Sequence, residues 1–207
     1  MTQSQSTVFI VDDDPGVLKA LSRLISVFGY QTESYPSSRD FLDHHDDSVP
    51  GCALFDVSMP DFDGLELQEA LAAAGIQRPV IFITGHGDVA TTVRAMKAGA
   101  VDVLTKPVEE RGLMEAIARA ATHDANTRKR NDELSSIQAR LALLTSREYE
   151  VLTHVIAGRL NKQIAGRLGI VEKTIKVHRS RMMAKMGVRN IVDLVRVAER
   201  ANIPPAV

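Results

Sequence analysis

Over the first 120 residues, short runs of β-branched and apolar residues alternate with longer stretches in which apolar positions recur every three or four. Val8-Phe9-Ile10-Val11 reads as a buried strand that runs into three aspartates, Asp12, Asp13 and Asp14. Pro15 opens a segment with Val17, Leu18, Leu21, Leu24, Ile25 and Phe28 at helical spacing, ending at Gly29. Weaker strand and helix signals follow at 30–34 and 37–44. Ala53-Leu54-Phe55 predicts a strand ending at Asp56, and Gly64 to Ala74 a helix. Val80 to Ile83 reads as a strand ending at Thr84, and Val89 to Ala98 as a helix. Val101 to Leu104 predicts the last strand, ending at Lys106-Pro107, with a helix from about Glu109 to Thr122. Five successive strand–helix units predict an α/β fold, a five-stranded parallel doubly wound sheet covered on both faces.

The pattern then changes. Residues 123–143 are polar and charged, and no Pro or Gly occurs between Leu113 and Gly158, which predicts a helical linker. Leu134, Ile137, Leu141 and Leu144 fall at 3-4-3 spacing, fit either for a short helix-pairing stripe or for packing on the neighbouring domain. From Thr145 onward every segment is helical, broken at Gly158, Gly169 and Gly187. Thr145-Ser146-Arg147-Glu148 offers two N-caps with a Glu close behind. Asn161 is placed to cap a helix over Lys162–Leu168, and Gly169 turns the chain into a third helix over Glu172–Met186. Two short helices joined through a Gly turn predict a helix-turn-helix. The expected domains are 1–122, a linker over 123–143, and an all-α domain over 144–207.

Charge sharpens this division. The formal net charge is −1, yet residues 1–125 carry 19 Asp/Glu against 9 Lys/Arg, while residues 126–207 carry 7 against 16. A basic half beside an acidic one points to two modules with different partners, the basic one suited to a polyanion. No stretch approaches ~18 consecutive apolar residues, so no membrane span is expected, and a polar N-terminus without a signal-peptide pattern suggests a cytoplasmic location. Cys52, the sole cysteine, lies in an apolar run and reads as a buried core residue.

Chemistry in a doubly wound sheet gathers at the carboxyl ends of the strands. Asp12, Asp13, Asp14, Asp56, Thr84 and Lys106 all fall there. Clustered carboxylates repel one another unless a cation neutralises them, and hard oxygen ligands beside a solvated cleft suit Mg²⁺. With a Lys and a hydroxyl opposite, such a site can hold a phosphoryl group, whose transfer needs mainly positioning and charge stabilisation. Asp61-Phe62-Asp63-Gly64 resembles part of a calcium loop but lacks the remaining ligands, and His44-His45 reads as a solvated helix end.

Residues 7–122 resemble the receiver domain of two-component systems. The matching stretches are Val11-Asp12-Asp13-Asp14, Asp56-Val57-Ser58-Met59-Pro60 with Asp63-Gly64, Ile83-Thr84-Gly85-His86, Ala95 to Ala100, and Lys106-Pro107. The resemblance implies that Asp56 accepts a phosphoryl group from a sensor histidine kinase. It also implies that Asp13, Asp56 and the carbonyl of Ser58 bind Mg²⁺, with Asp12 acting mainly through water. Thr84 and Lys106 would contact the phosphoryl oxygens, and Lys106-Pro107 would be cis. Where many receivers carry Phe or Tyr three residues before the Lys, this chain has Val103, and Val108 stands where an aromatic is frequent; a switch with little aromatic gating is expected.

On a helical wheel of the third C-terminal helix, Ile175, Met182 and Met186 share one face. Lys173, Val177 and Ser180 centre on the other, flanked by Lys176 and Arg181, with His178 and Arg179 at the edges. A basic and small face of this kind fits a major groove. Residues 145–200 resemble the LuxR/FixJ/NarL-type effector domain, through Leu144 to Glu148, Gly158 to Ala165 and Thr174 to Arg179. The FixJ branch is suggested by Ile83 to Asp88 and Met183 to Met186. The resemblance implies groove-facing Lys176, Val177 and Ser180, with Lys162 and Thr174 near phosphates; Lys173, Arg179 and Arg181 complete the candidate DNA-binding set. Family members usually cap this helix with Ser or Thr, where this chain has Val171. A last helix, Asn190 to Arg200, would be the dimer contact, through Ile191, Leu194, Val195 and Ala198.

The expected protein is therefore a transcriptional response regulator, phosphorylated by a sensor histidine kinase, bound to double-stranded DNA as a homodimer, and in contact with RNA polymerase. Two other classes stay open. A phosphatase of the aspartyl-phosphate type usually carries a second acid two residues after its nucleophile, where this chain has Ser58. A receiver with a protein-binding helical tail would not be retained on generic duplex DNA.

Overall fold

The structure, a computed structural model, describes residues 6–60, 62–85 and 89–207. The chain divides into two compact units, Met1–Arg128 and Lys129–Val207.

In the first unit, β1 (Thr7–Val11), β2 (Gln31–Tyr35), β3 (Gly51–Asp56), β4 (Val80–Thr84) and β5 (Asp102–Thr105) alternate with α1 (Pro15–Val27), α2 (Ser38–His44), α3 (Gly64–Ala73) and α4 (Val89–Lys97), and α5 (Glu110–Ala142) follows. Among the described residues the strands form one parallel sheet in the order β2-β1-β3-β4-β5. The three central strands are buried along their whole length, as their unbroken apolar runs require. β2 and β5 are edges. The β2 sequence Gln31-Thr32-Glu33-Ser34-Tyr35 is mostly exposed or half-buried, which is why its hydrophobic signal was weak.

Period-2 alternation sends the strand side chains to two cores. Phe9, Val11, Ala53, Phe55, Val80 and Phe82 meet Phe41, Leu67, Leu71 and Ala95 from α2, α3 and α4 on one face. Val8, Ile10, Cys52, Leu54, Ile81 and Ile83 meet Leu21 and Ile25 of α1 and Leu113, Ala116, Ile117 and Ala120 of α5 on the other. Phe41 anchors the first core, edge-on to Tyr35 at 5.2 Å and to Phe55 at 5.3 Å. Burial pushes the Cys52 thiol up to about 12, in keeping with a core residue.

Residues of the expected linker are shared between the units. The buried Asp124 accepts a hydrogen bond from Gly51 N (2.9 Å) and pairs with Arg128. Arg128 in turn donates to the carbonyls of Asp47, Ser48 and Val49. Arg78, stacked 4.1 Å over the Phe9 ring, donates to the carbonyls of Asp46 and Val49. Two guanidinium groups thus satisfy the carbonyls of the turn that leads into β3. From Lys129 onward the same helix belongs to the second unit, where Ile137 is buried and Leu141 and Leu144 pack against the core. Packing on the domain accounts for Ile137, Leu141 and Leu144 of that stripe.

The second unit continues with α6 (Ser146–Ile156), α7 (Asn161–Leu168), α8 (Glu172–Met186) and α9 (Ile191–Arg200). Its core collects Val151, Leu152 and Val155 of α6, Ile164 of α7, Ile175, Met182 and Met186 of α8, and Leu194 and Ala198 of α9. Gly169 ends α7 at φ 67°, a left-handed position that favours glycine. The stripe expected for dimer contact is corrected at Leu194 and Ala198. Leu194 and Ala198 face inward to their own core, while Ile191 and Val192 are exposed and Val195 is half-buried. The inward pair is what an isolated helix of this length needs in order to stay folded.

Candidate functional site

Parallel register brings the receiver residues together. Val11 pairs with Phe55 and Asp56 with Ile83, so Asp12 and Asp56 emerge side by side at the carboxyl edge of the sheet. Thr84 pairs with Thr105, and Lys106 N donates to Thr84 O at 2.8 Å, which brings the Lys to the same edge. Lys106 Nζ lies 3.0 Å from Asp12 Oδ2 and 3.3 Å from Asp56 Oδ2. Asp12, Asp56 and Thr84 are buried, and Asp13 is exposed. The Lys106-Pro107 peptide is cis.

Electrostatics follow from this packing. Burial raises the Asp12 carboxyl above its usual range, against the lowering effect of its hydrogen bonds from Asp14 N and Lys106. For Lys106, burial alone would favour the neutral amine. The hydrogen bond to Asp12 and the charges of Asp12 and Asp56 outweigh it, so its pKa is raised.

A divalent cation fits the remaining groups. Asp12, Asp13 and Asp56 each place a carboxylate oxygen within 4.8 Å of the others. Asp56 Oδ1 is buried and accepts no hydrogen bond from any described residue. A buried carboxylate oxygen without a donor is costly unless a cation meets it, and an all-oxygen set of this kind suits Mg²⁺. Ser58 is exposed two residues past Asp56.

Several roles were hidden in the sequence. Asp14 stands outside that carboxylate group: its Oδ1 caps α1, accepting from Gly16 N at 2.7 Å and from Val17 N, with Pro15 next to it. An Asp directly before a Pro that starts a helical pattern could have signalled this. Asp63 likewise caps α3 in a reciprocal box with Glu66, which ends the calcium-loop comparison; Asp61 lies outside the described residues, as do His86, Gly87 and Asp88. Gly64 starts α3 so close to the end of β3 that a Cβ there would sit 2.3 Å from the Asp56 carbonyl oxygen. Val103 is half-buried against the first core and Val108 against the second.

In the second unit, α8 buries Ile175, Met182 and Met186 completely and exposes Lys173, Lys176, Val177, Ser180 and Arg181. Lys162 is exposed on α7, and Thr174 and Arg179 are half-buried. Arg179 donates to Asn161 Oδ1 at 2.9 Å, tying α8 to the start of α7. Asn161 therefore does not cap α7 as expected: Leu160 holds the cap position, its N–H taken by Gln163 Oε1 at 2.8 Å. The expected missing cap of α8 is observed, Val171 offering no side-chain acceptor. The C-terminal end of α8 is held by two further ties. Lys185 Nζ meets the buried Glu148 at 2.6 Å, and Arg140 donates to Met186 O at 2.7 Å. Glu148 also closes a capping box with Thr145 at the start of α6. The hydrogen bond from Lys185 and those with Thr145 hold its carboxyl down at about 2.

Comparison with known proteins agrees with both halves of this description. Residues 8–118 match the response regulator receiver domain, and residues 142–198 match the bacterial regulatory proteins of the luxR family. The chain is 43% identical to the response regulator protein TmoT of Ectopseudomonas mendocina, over 97% of this chain and 91% of that one. It is 42% identical to the transcriptional regulatory protein FixJ of Rhizobium meliloti, over 97% and 98%. The solved structure of the response regulator StyR superposes with a TM-score of 0.87 at 42% identity, covering 95% of this chain and 99% of that one. Receiver domains bind Mg²⁺ through acidic residues such as those clustered here. A receiver implies a sensor kinase as partner, and a luxR-type domain implies DNA. Among the described residues no helix is long and apolar enough to cross a membrane. With an acidic cleft at one sheet edge and a helix-turn-helix in the second unit, the chain belongs to the two-component response regulators of the FixJ/NarL family.

Proposed function

We infer that Asp56 is the phosphoacceptor and that its phosphorylation controls DNA binding by the second unit. The observation that carries this reading is the meeting of Asp56 with Lys106 (3.3 Å), Asp12, Asp13 and Thr84 at one strand-end edge. In the reaction, a carboxylate oxygen of Asp56 forms a bond to phosphorus as the phosphorus–nitrogen bond to the kinase histidine breaks. The imidazole leaves and the phosphoryl charge stays on Asp56. Lys106 neutralises the incoming oxygens, and the Thr84 hydroxyl donates to one of them. Asp13, Asp56 and the Ser58 carbonyl would hold Mg²⁺, with Asp12 acting through water. When bound, the ion offsets the charge that builds on the transferred group.

On the duplex, Lys176, Val177 and Ser180 face the major groove. Lys162 and Thr174 lie near phosphates, Lys173 and Arg181 complete the DNA-facing set, and Arg179 acts partly through its bond to Asn161. Phosphorylation shifts the population toward a homodimer that binds two half-sites and contacts RNA polymerase. The protein turns over no substrate of its own. An aspartyl-phosphate-type phosphatase usually carries a second acid where Ser58 stands.

The test compares wild type with Asp56→Asn, each treated with acetyl phosphate and Mg²⁺ and titrated onto duplex DNA. Wild type should gain affinity on treatment and the variant should gain none. Equal gains in both proteins would refute the assignment.

A further inference from the structure

The exposed face of α8 is not purely basic. Glu172, its first residue, holds a carboxylate oxygen 3.2 Å from Lys176 Nζ, and both side chains are exposed. The cap position before it, Val171, carries no acceptor, so the pair stands at the open N-terminal end of the helix. An acid there has an ordinary structural use. It complements the helix dipole and forms an i,i+4 pair, each a small effect.

Its tie to Lys176 gives it a second consequence. A carboxylate in contact with a groove-facing ammonium must travel with it to the DNA surface. Phosphates repel that charge at every sequence alike, lowering generic affinity. On the floor of the major groove, the donors open to a carboxylate are exocyclic amino groups, and Glu matches cytosine N4 as Lys matches guanine O6 and N7. A Glu and a Lys in contact therefore match a donor and an acceptor edge that lie next to each other.

Resting on the reading of α8 as the groove helix, we propose that Glu172 is a specificity-determining residue that accepts a hydrogen bond from a cytosine amino group while Lys176 donates to a neighbouring guanine. Sequences without that cytosine leave the carboxylate without a base donor beside the phosphates, so Glu172 discriminates by repulsion as well as by attraction.

The experiment uses the full-length protein treated with acetyl phosphate, which selects sites from a randomised duplex pool as wild type, Glu172→Ala and Glu172→Gln. Wild type should fix a cytosine at one position in each half-site. Glu172→Ala should relax that position alone, by roughly tenfold in preference, and bind generic duplex several-fold more tightly at low salt. Glu172→Gln should move the preference at the same position toward adenine, whose edge an amide matches. A purely structural role would lower thermal stability slightly and leave every base preference in place. That result, or a wild-type site without the cytosine, overturns the proposal while sparing the proposed function. If wild type selects no sequence at all, the proposed function itself fails.

Discussion

The receiver and the DNA-binding unit hold their chemistry in opposite ways. In the receiver, Asp12 and Lys106 meet at 3.0 Å although 94 positions apart, and Asp56 and Thr84 come from two further strands. In the second unit, most candidate contacts sit on the single 15-residue helix α8. The first site exists only while the sheet register is intact, because a slip would carry each strand end away from its neighbours. The second depends on helical periodicity, which is local, and on a few ties that fix how the helix is presented. Arg179–Asn161 secures one part of α8, and Lys185–Glu148 and Arg140–Met186 secure its far end.

The strongest way to break this comparison is at Lys106. Lys106→Ala leaves the buried Asp12 and Asp56 without their shared cation and, on the proposed reading, removes a group that contacts the phosphoryl oxygens. The rate of phosphoryl uptake from acetyl phosphate should fall by about 100-fold or more, while retention on generic duplex at low salt is unchanged.

A smaller effect is expected at Gly64, where no charge is involved. A Cβ 2.3 Å from Asp56 O forces the α3 start or the Asp56 backbone to shift. Gly64→Ala should destabilise the receiver by about 1–3 kcal/mol and slow phosphoryl uptake, as read by thermal unfolding and the same uptake assay.

In the second unit the corresponding tie is titratable. The Glu148 carboxyl is held well below the usual range by Lys185 and Thr145, so its stabilising contribution is present above pH ~4.5 and lost as pH falls toward 2. Glu148→Gln can keep the capping box yet loses the ion pair. The gap in Tm between wild type and Glu148→Gln should therefore be widest near neutral pH and close as the solution is acidified. A gap independent of pH would show that the pair does not act through its charge.

The mildest change should strengthen the molecule. Val171 has the extended backbone of a cap (φ −76°, ψ 148°) but no oxygen to offer. Val171→Ser should stabilise the second unit by about 0.5–2 kcal/mol, seen as a higher Tm.

The sequence showed most of the architecture because both units obey simple periodicities. The βα alternation placed every strand end that carries chemistry, and the α8 wheel separated Ile175, Met182 and Met186 from the exposed basic face. Relations between distant residues were not legible. Nothing local announces that Asp124 will receive Gly51 N across 73 positions, or that Glu148 will meet Lys185. Local alternatives also compete for the same residue type. Asp14 looked like a third carboxylate of the cluster but serves α1, and Asn161 looked like a cap but serves Arg179. The apolar stripe of α9 was visible, whereas its division into an inward Leu194 and Ala198 and an outward Ile191 and Val192 depends on what lies beneath it.

The most direct measurement is the position of the acyl phosphate. Protein treated with acetyl phosphate and Mg²⁺ is reduced with borohydride, which converts a phosphorylated aspartate to homoserine, and then mapped by mass spectrometry. Conversion should occur at residue 56 and be absent in Asp56→Asn. Conversion at Asp12, at Asp13 or at no aspartate would contradict the account.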